Sequence, residues 1–111
     1  MSTVPGVVIA ISAVGSEDEA KTIARALVTE KLAACVNIVP NVTSVYTWKG
    51  ALEESSEAML FMKTTAASFE ALRKRLCELH SYEVPECIQI EVPDGHGPYL
   101  DWVRASVAPK S

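Results

Sequence analysis

Cationic side chains are scarce in this sequence: ten Lys and Arg stand against fourteen Asp and Glu, a formal net charge of −4. A binder of the phosphate backbone needs a basic face, so nucleic acid is excluded as a partner. Cysteine is sparser still. Cys35, Cys77 and Cys87 are an odd number with no C-x-x-C pair, which argues against a disulfide framework and a closed zinc site. A reducing compartment is the simplest setting for such thiols, and a cytoplasmic location is expected. Long apolar runs are missing. The stretch Val7 to Ile11 is far too short to span a bilayer, and Met1-Ser2-Thr3 lacks the basic start of an export signal, so neither a membrane partner nor a leader is expected. There is no internal repeat, linker or low-complexity segment, which leaves residues 1–111 as a single domain. What is present is 49% hydrophobic and 22% charged residues, a globular composition on a chain long enough to bury a core.

The order of elements follows from periodicity. Val7 to Ile11 (VVIAI) is apolar at every position and reads as a strand covered on both faces. Ser16 with Glu19 three residues on forms a capping box for a helix whose apolar face is Ala20, Ile23, Ala24, Leu27 and Val28, ending near Lys31. "AACVNIVPNVTSVYTWKG" reads as a strand with a bulge or edge position at Pro40, turning at Lys49-Gly50. "EESSEAMLFMKT" alternates as the return strand of that hairpin. Thr65 or Ser68 caps a second helix with the stripe Phe69, Leu72, Leu76 and Leu79, ending near His80. Val84 to Val92 is predicted as the last strand. "PDGHGP" is a loop, and Pro98 opens a final helix carrying Tyr99, Trp102 and Val103.

The result is βαββαβ plus a C-terminal helix, an α+β ferredoxin-like antiparallel sheet with both main helices on one face. Two features remain unexplained by one chain. The first strand reads as buried on both faces although helices cover only one, and the hairpin strands are longer than the usual five or so residues, which leaves open edges. Another copy of the chain resolves both.

Each polar or reactive residue has a bland reading beside a functional one. His80 at a helix end is favoured by the helix dipole without any ligand. Free cysteines such as Cys35, Cys77 and Cys87 are expected to be small buried hydrophobes. Tyr46 and Trp48 lie two apart on one strand face, equally suited to a cleft wall or to packing between subunits. Lys63 either meets an anionic ligand or pairs with a carboxylate. Glu53, Glu54 and Glu57 read as a solvated hairpin end, since no calcium-type loop accompanies them. His96, in "DGHG", belongs to a loop. An RNA-recognition module of the same element order would need a basic face and exposed aromatics on its central strands. An acylphosphatase-like enzyme would need a phosphate cradle where "SAVGSEDEA" is acidic. No nucleophile–base spacing stands out, so the protein is expected not to be an enzyme.

Five motifs occur in order across nearly the whole chain: "EKLAACVNI" (Glu30 to Ile38), "SVYTWKG" (Ser44 to Gly50), "MKTT" (Met62 to Thr65), "HSYEVPE" (His80 to Glu86) and "YLDW" (Tyr99 to Trp102). Together they closely resemble the CutA family, the divalent-cation-tolerance proteins. The resemblance implies a tight homotrimer, similar in architecture to the PII signalling proteins that bind small ligands between subunits, and a link to copper tolerance. It draws Lys63, Tyr82 and Glu86 into a ligand cleft with Tyr46, Trp48 and His80. It implies no required cofactor, with copper or another divalent cation as the candidate ion. Copper in well-known bacterial members is assigned to a first-strand cysteine and two adjacent histidines. This chain has Ile11 and Leu79 at two of those places and keeps only His80 as a candidate metal ligand, which predicts modest copper affinity. The second function the resemblance implies is a PII-like regulatory or interaction module.

Overall fold

The computed structural model describes residues 6–107; the Met1-Ser2-Thr3 start lies outside them. The elements run β1 (Val7–Val14), α1 (Glu17–Thr29), β2 (Cys35–Trp48), β3 (Ala51–Thr65), α2 (Ala66–Leu79), β4 (Ile88–Val92) and α3 (Gly97–Ser106). The strands form one antiparallel sheet in the order β2-β3-β1-β4, the ferredoxin-like arrangement that the element order predicts.

The helices pack on one face because alternate residues of the central strands are small or aliphatic there. Ala10 and Val14 of β1 and Ala58, Leu60 and Met62 of β3 meet Ile23 and Leu27 of α1 and Leu72 and Leu76 of α2, all buried. Each fully buried leucine contributes about 1.5–3 kcal/mol of apolar transfer. α1 begins on the Ser16 side chain, which accepts the Glu19 backbone N–H at 3.1 Å. The reciprocal half of the expected capping box is replaced by a longer reach: the Glu19 carboxylate accepts the Ser81 N–H at 2.9 Å and its hydroxyl at 3.0 Å. α1 stops two residues earlier than expected. Lys31 adopts φ 62°, and the Lys31 and Leu32 N–H groups return to Val28 and Leu27, a paired closure that satisfies two end carbonyls. Thr65 caps α2 through the Ser68 N–H.

On the other face the covering is partial. α3 closes one end, where Val103 and Val107 pack with Val7 and Ala34. Beyond it, cross-strand neighbours Ile88, Ile11 and Phe61, and Ile90 and Ile9, stand side by side in a row of apolar side chains. Ile88 and Ile90 are 53% and 52% exposed. The expectation that β1 is covered on both faces therefore holds within one chain only at its α3 end.

The hairpin accounts for the long dimension of a 48 × 25 × 21 Å molecule. Past the last β1–β3 pair, Val14 with Ala58, β3 has only β2 beside it, and β2 is itself an edge. The overhanging part carries Val45 and Leu52 largely exposed. Its tip is a two-residue turn with positive φ at both Lys49 and Gly50, the twist that matches right-handed strands.

Two expectations are corrected. β4 starts at Ile88 rather than Val84, because Pro85 has no N–H for a ladder and the chain over residues 81–87 bends, with Ser81 and Tyr82 bonded to Glu19 and His80. None of the cysteines is fully buried: Cys77 is exposed and Cys35 and Cys87 are half-buried.

Candidate functional site

Pro40 decides which side chains of β2 reach the site. It breaks the ladder, so that Val39 pairs with Met59 but Val42 pairs with Glu57, two residues against one, with Asn41 at φ 59°. A bulge of this kind flips the parity of one strand and increases its twist. Beyond it the even positions Tyr46 and Trp48, not Val45, share a face with Glu53, Ser55 and Glu57. Tyr46 is steadied by its hydroxyl, 3.2 Å from Ser55 Oγ.

The opposite wall comes from the connection between α2 and β4. His80, 8% exposed at the C-terminus of α2, lies with Nε2 2.8 Å from the Ala13 carbonyl, while Nδ1 accepts the Tyr82 N–H at 3.1 Å. An acceptor at Nδ1 and a carbonyl opposite Nε2 match the tautomer that carries its proton on Nε2, and the Glu19 carboxylate lies 3.7 Å from Nδ1. The ring packs 4.7 Å from that of Tyr82, whose hydroxyl donates to Glu57 Oε2 at 2.7 Å. Burial, then this bond and the Glu57 charge, push the Tyr82 hydroxyl far above its ordinary range, so it remains a donor.

Between these walls lies a cleft of about 370 Å³ lined by Ala13, Tyr46, Trp48, Glu57, Tyr82, Glu83, Val84 and Glu86. Four residues of the sequence-predicted set, Tyr46, Trp48, Tyr82 and Glu86, are brought together there. Lys63 is not. It sits six residues from Glu57 along β3, about 20 Å at strand rise, and donates to Asn37. His80 stands behind the cleft wall, not in it. Of the lining residues outside the sequence-predicted set, Ala13, Glu83, Val84 and Glu57, the one the sequence reading misplaced is Glu57. Far from being solvated, it is 8% exposed. Its signal was present: an acid in register with Met59 and Phe61 on the return strand.

Burial raises the Glu86 carboxyl above the ordinary carboxylate range, and the Glu57 charge adds to it. A folded state that binds this proton more tightly than the unfolded chain loses stability as pH rises from the ordinary value to the raised one. Glu86→Gln removes that loss. The variant should exceed wild type in denaturant midpoint at pH 7, and the gap should close at pH 4. An equal gap at both would separate Glu86 from the effect.

The candidate metal ligand already has partners. Both His80 nitrogens are engaged, and a cation at either displaces a backbone partner. Burial, then neighbouring Cys77, pushes the Cys87 thiol up to about 11, away from the thiolate a metal needs. Among the described residues no three His, Cys, Asp or Glu side chains are grouped to hold an ion, and no helix is long and apolar enough to cross a membrane.

A family model described as CutA1 divalent ion tolerance protein matches residues 8–106. A Thermus thermophilus protein named divalent-cation tolerance protein CutA is 50% identical over 82% of this chain and 88% of its own. The human Protein CutA is 48% identical over 80% of this chain, which spans about half of the human protein's length. Among solved structures, CutA1 from Oryza sativa superposes with a TM-score of 0.93 at 35% identity, covering 98% of this chain and 100% of that one.

Proposed function

Since this chain belongs to the CutA1 divalent ion tolerance family, we propose that it acts as a cytoplasmic homotrimer linked to divalent-cation, including copper, tolerance, and that a single subunit holds the metal only weakly. The observation that carries the assembly is the row Ile88, Ile11 and Phe61 beside Ile90 and Ile9, left uncovered next to a hairpin with open edges. An exposed apolar sheet face of this kind marks an interaction surface. A two-fold sheet-on-sheet contact covers the face but leaves the overhanging edges; a head-to-tail ring uses both. Weak metal binding follows from His80, whose two nitrogens are engaged by the backbone. The three thiols are free, in keeping with a reducing compartment.

A second reading is favoured by the cleft itself: a PII-like module that binds a small ligand or a protein at Tyr46, Trp48, Tyr82 and Glu86. A binding site is supported by Tyr82, whose hydroxyl is held as a hydrogen-bond donor to Glu57 at the cleft wall. Light scattering at micromolar concentration should return three times the 12.0 kDa of one chain, with an unfolding temperature that rises with protein concentration. A monomeric mass overturns the assembly; a concentration-independent reversible transition overturns the coupling of assembly to folding.

A further inference from the structure

The cleft has walls of one kind and charge of one sign. Tyr46, Trp48 and Tyr82 supply rings; Glu57, Glu83 and Glu86 supply carboxylates; among the described residues no Lys or Arg lines it. Glu57 is more than nine-tenths buried, yet among the described residues its hydrogen bond comes from a neutral hydroxyl and reaches only Oε2. Among the described residues no ion pair reaches either of its oxygens. Among those residues Oε1 has no such donor and is not sealed off from the cleft, so a cationic donor entering the cleft can reach it with a charge-assisted hydrogen bond. Burial, and then the Glu57 charge, raise the Glu86 carboxyl in the same cleft.

We propose that the cleft binds an organic cation, a primary ammonium or guanidinium group on a slim apolar body, with its head between Glu57 and Glu86 and its body against the rings of Tyr46, Trp48 and Tyr82. The inference rests on the second reading above, of the cleft as a ligand site. Three arguments select this class. Aromatic faces attract ammonium and guanidinium groups and strengthen that attraction when water is excluded. A hard divalent ion wants six or more oxygens, and here rings occupy much of the wall. A space of about 370 Å³ lies within the range of small-molecule pockets, about 300–1,000 Å³, and is far larger than a bare ion fills.

The probes are n-butylammonium, phenethylammonium and n-butylguanidinium, matched against n-pentanol as a neutral alcohol of similar size and n-butyrate as the anion, at constant ionic strength. Tryptophan fluorescence of the intact protein reads the cleft, and Trp48→Phe separates Trp48 from Trp102. Saturable binding of the cations, absent for pentanol and butyrate, is the expected result. Glu57→Gln should weaken it by about tenfold or more. Should Glu57→Gln fail to fold, Glu86→Gln, on the more exposed carboxylate, should weaken it in the same direction. Equal binding of cations and pentanol, or cation binding unchanged in the carboxylate variants, overturns the inference while the cleft remains a ligand site. If no probe of any charge perturbs Trp48, both the inference and the ligand-site reading fall. A cleft filled by a cationic side chain of a neighbouring copy gives that same silence and counts against the proposal.

Discussion

Ile88→Asp should turn the proposed trimer into monomers that remain folded. Ile88 opens β4 on the uncovered sheet face, paired with Ile11, which in turn pairs with Phe61. In one chain it is 53% exposed, so a carboxylate there stays in water and the subunit tolerates it. In a ring whose sheets pack face to face the same carboxylate is dry and has only apolar neighbours. Such burial costs several kcal/mol for each ion, and a closed ring incurs it three times. At a total on the order of 10 kcal/mol, association weakens by roughly ten-million-fold. Light scattering should therefore give one chain mass at micromolar concentration, with the far-UV circular dichroism of the wild type. Ile88→Leu, which keeps the volume, should stay trimeric. An Ile88→Asp variant of unchanged mass would move the interface to another surface.

The fold was largely legible because its rules are local. The Ser16 cap, the alternation of Ala58, Leu60 and Met62, the break at Pro40 and the Lys49-Gly50 turn each depend on neighbours a few residues away. The site was legible only where its residues carry a local mark. Tyr46 and Trp48 stand two apart on a strand, and Tyr82 and Glu86 lie in the "HSYEVPE" motif. The misreadings come from partners distant in sequence. Glu57 looked like one more surface acid until Tyr82, twenty-five residues later, reached its carboxylate. Val84 to Cys87 had the composition of a strand, but His80 fastened to Ala13 and Ser81 fastened to Glu19 pull the chain off the ladder before it. Cys77 follows the buried Leu76 by one position, which on a helix turns it about 100° toward water. Lys63 shares a motif-bearing strand with the cleft, yet strand rise alone carries it out of reach within one chain.

His80→Ala should be the most damaging single truncation outside the central core, and it should leave copper binding nearly unchanged. The ring is a strut. It joins the end of β1, at the Ala13 carbonyl, to the start of the connection, at the Tyr82 N–H. Removing it leaves a buried acceptor and a part-buried donor without partners, at about 1–3 kcal/mol each when water cannot replace the ring. It also opens a void where the imidazole packed. Partial hydration offsets some of this, and a net loss of about 3–4 kcal/mol is expected, read as a lower denaturant midpoint at fixed protein concentration. The loosened connection should also release Tyr82 from Glu57, so phenolic hydroxyl ionisation, followed by ultraviolet absorbance, should shift down toward its ordinary range. Copper responds differently under the two roles open to this histidine. As a strut, its ring has no free nitrogen, and calorimetric titration should give weak binding that differs by no more than a few-fold between wild type and variant. As a ligand, it would give tight stoichiometric binding, at nanomolar Kd or better, abolished by the substitution. Loss of copper binding with the denaturant midpoint unchanged would reverse the assignment made here, because a side chain that holds β1 to the connection cannot be removed without loosening both.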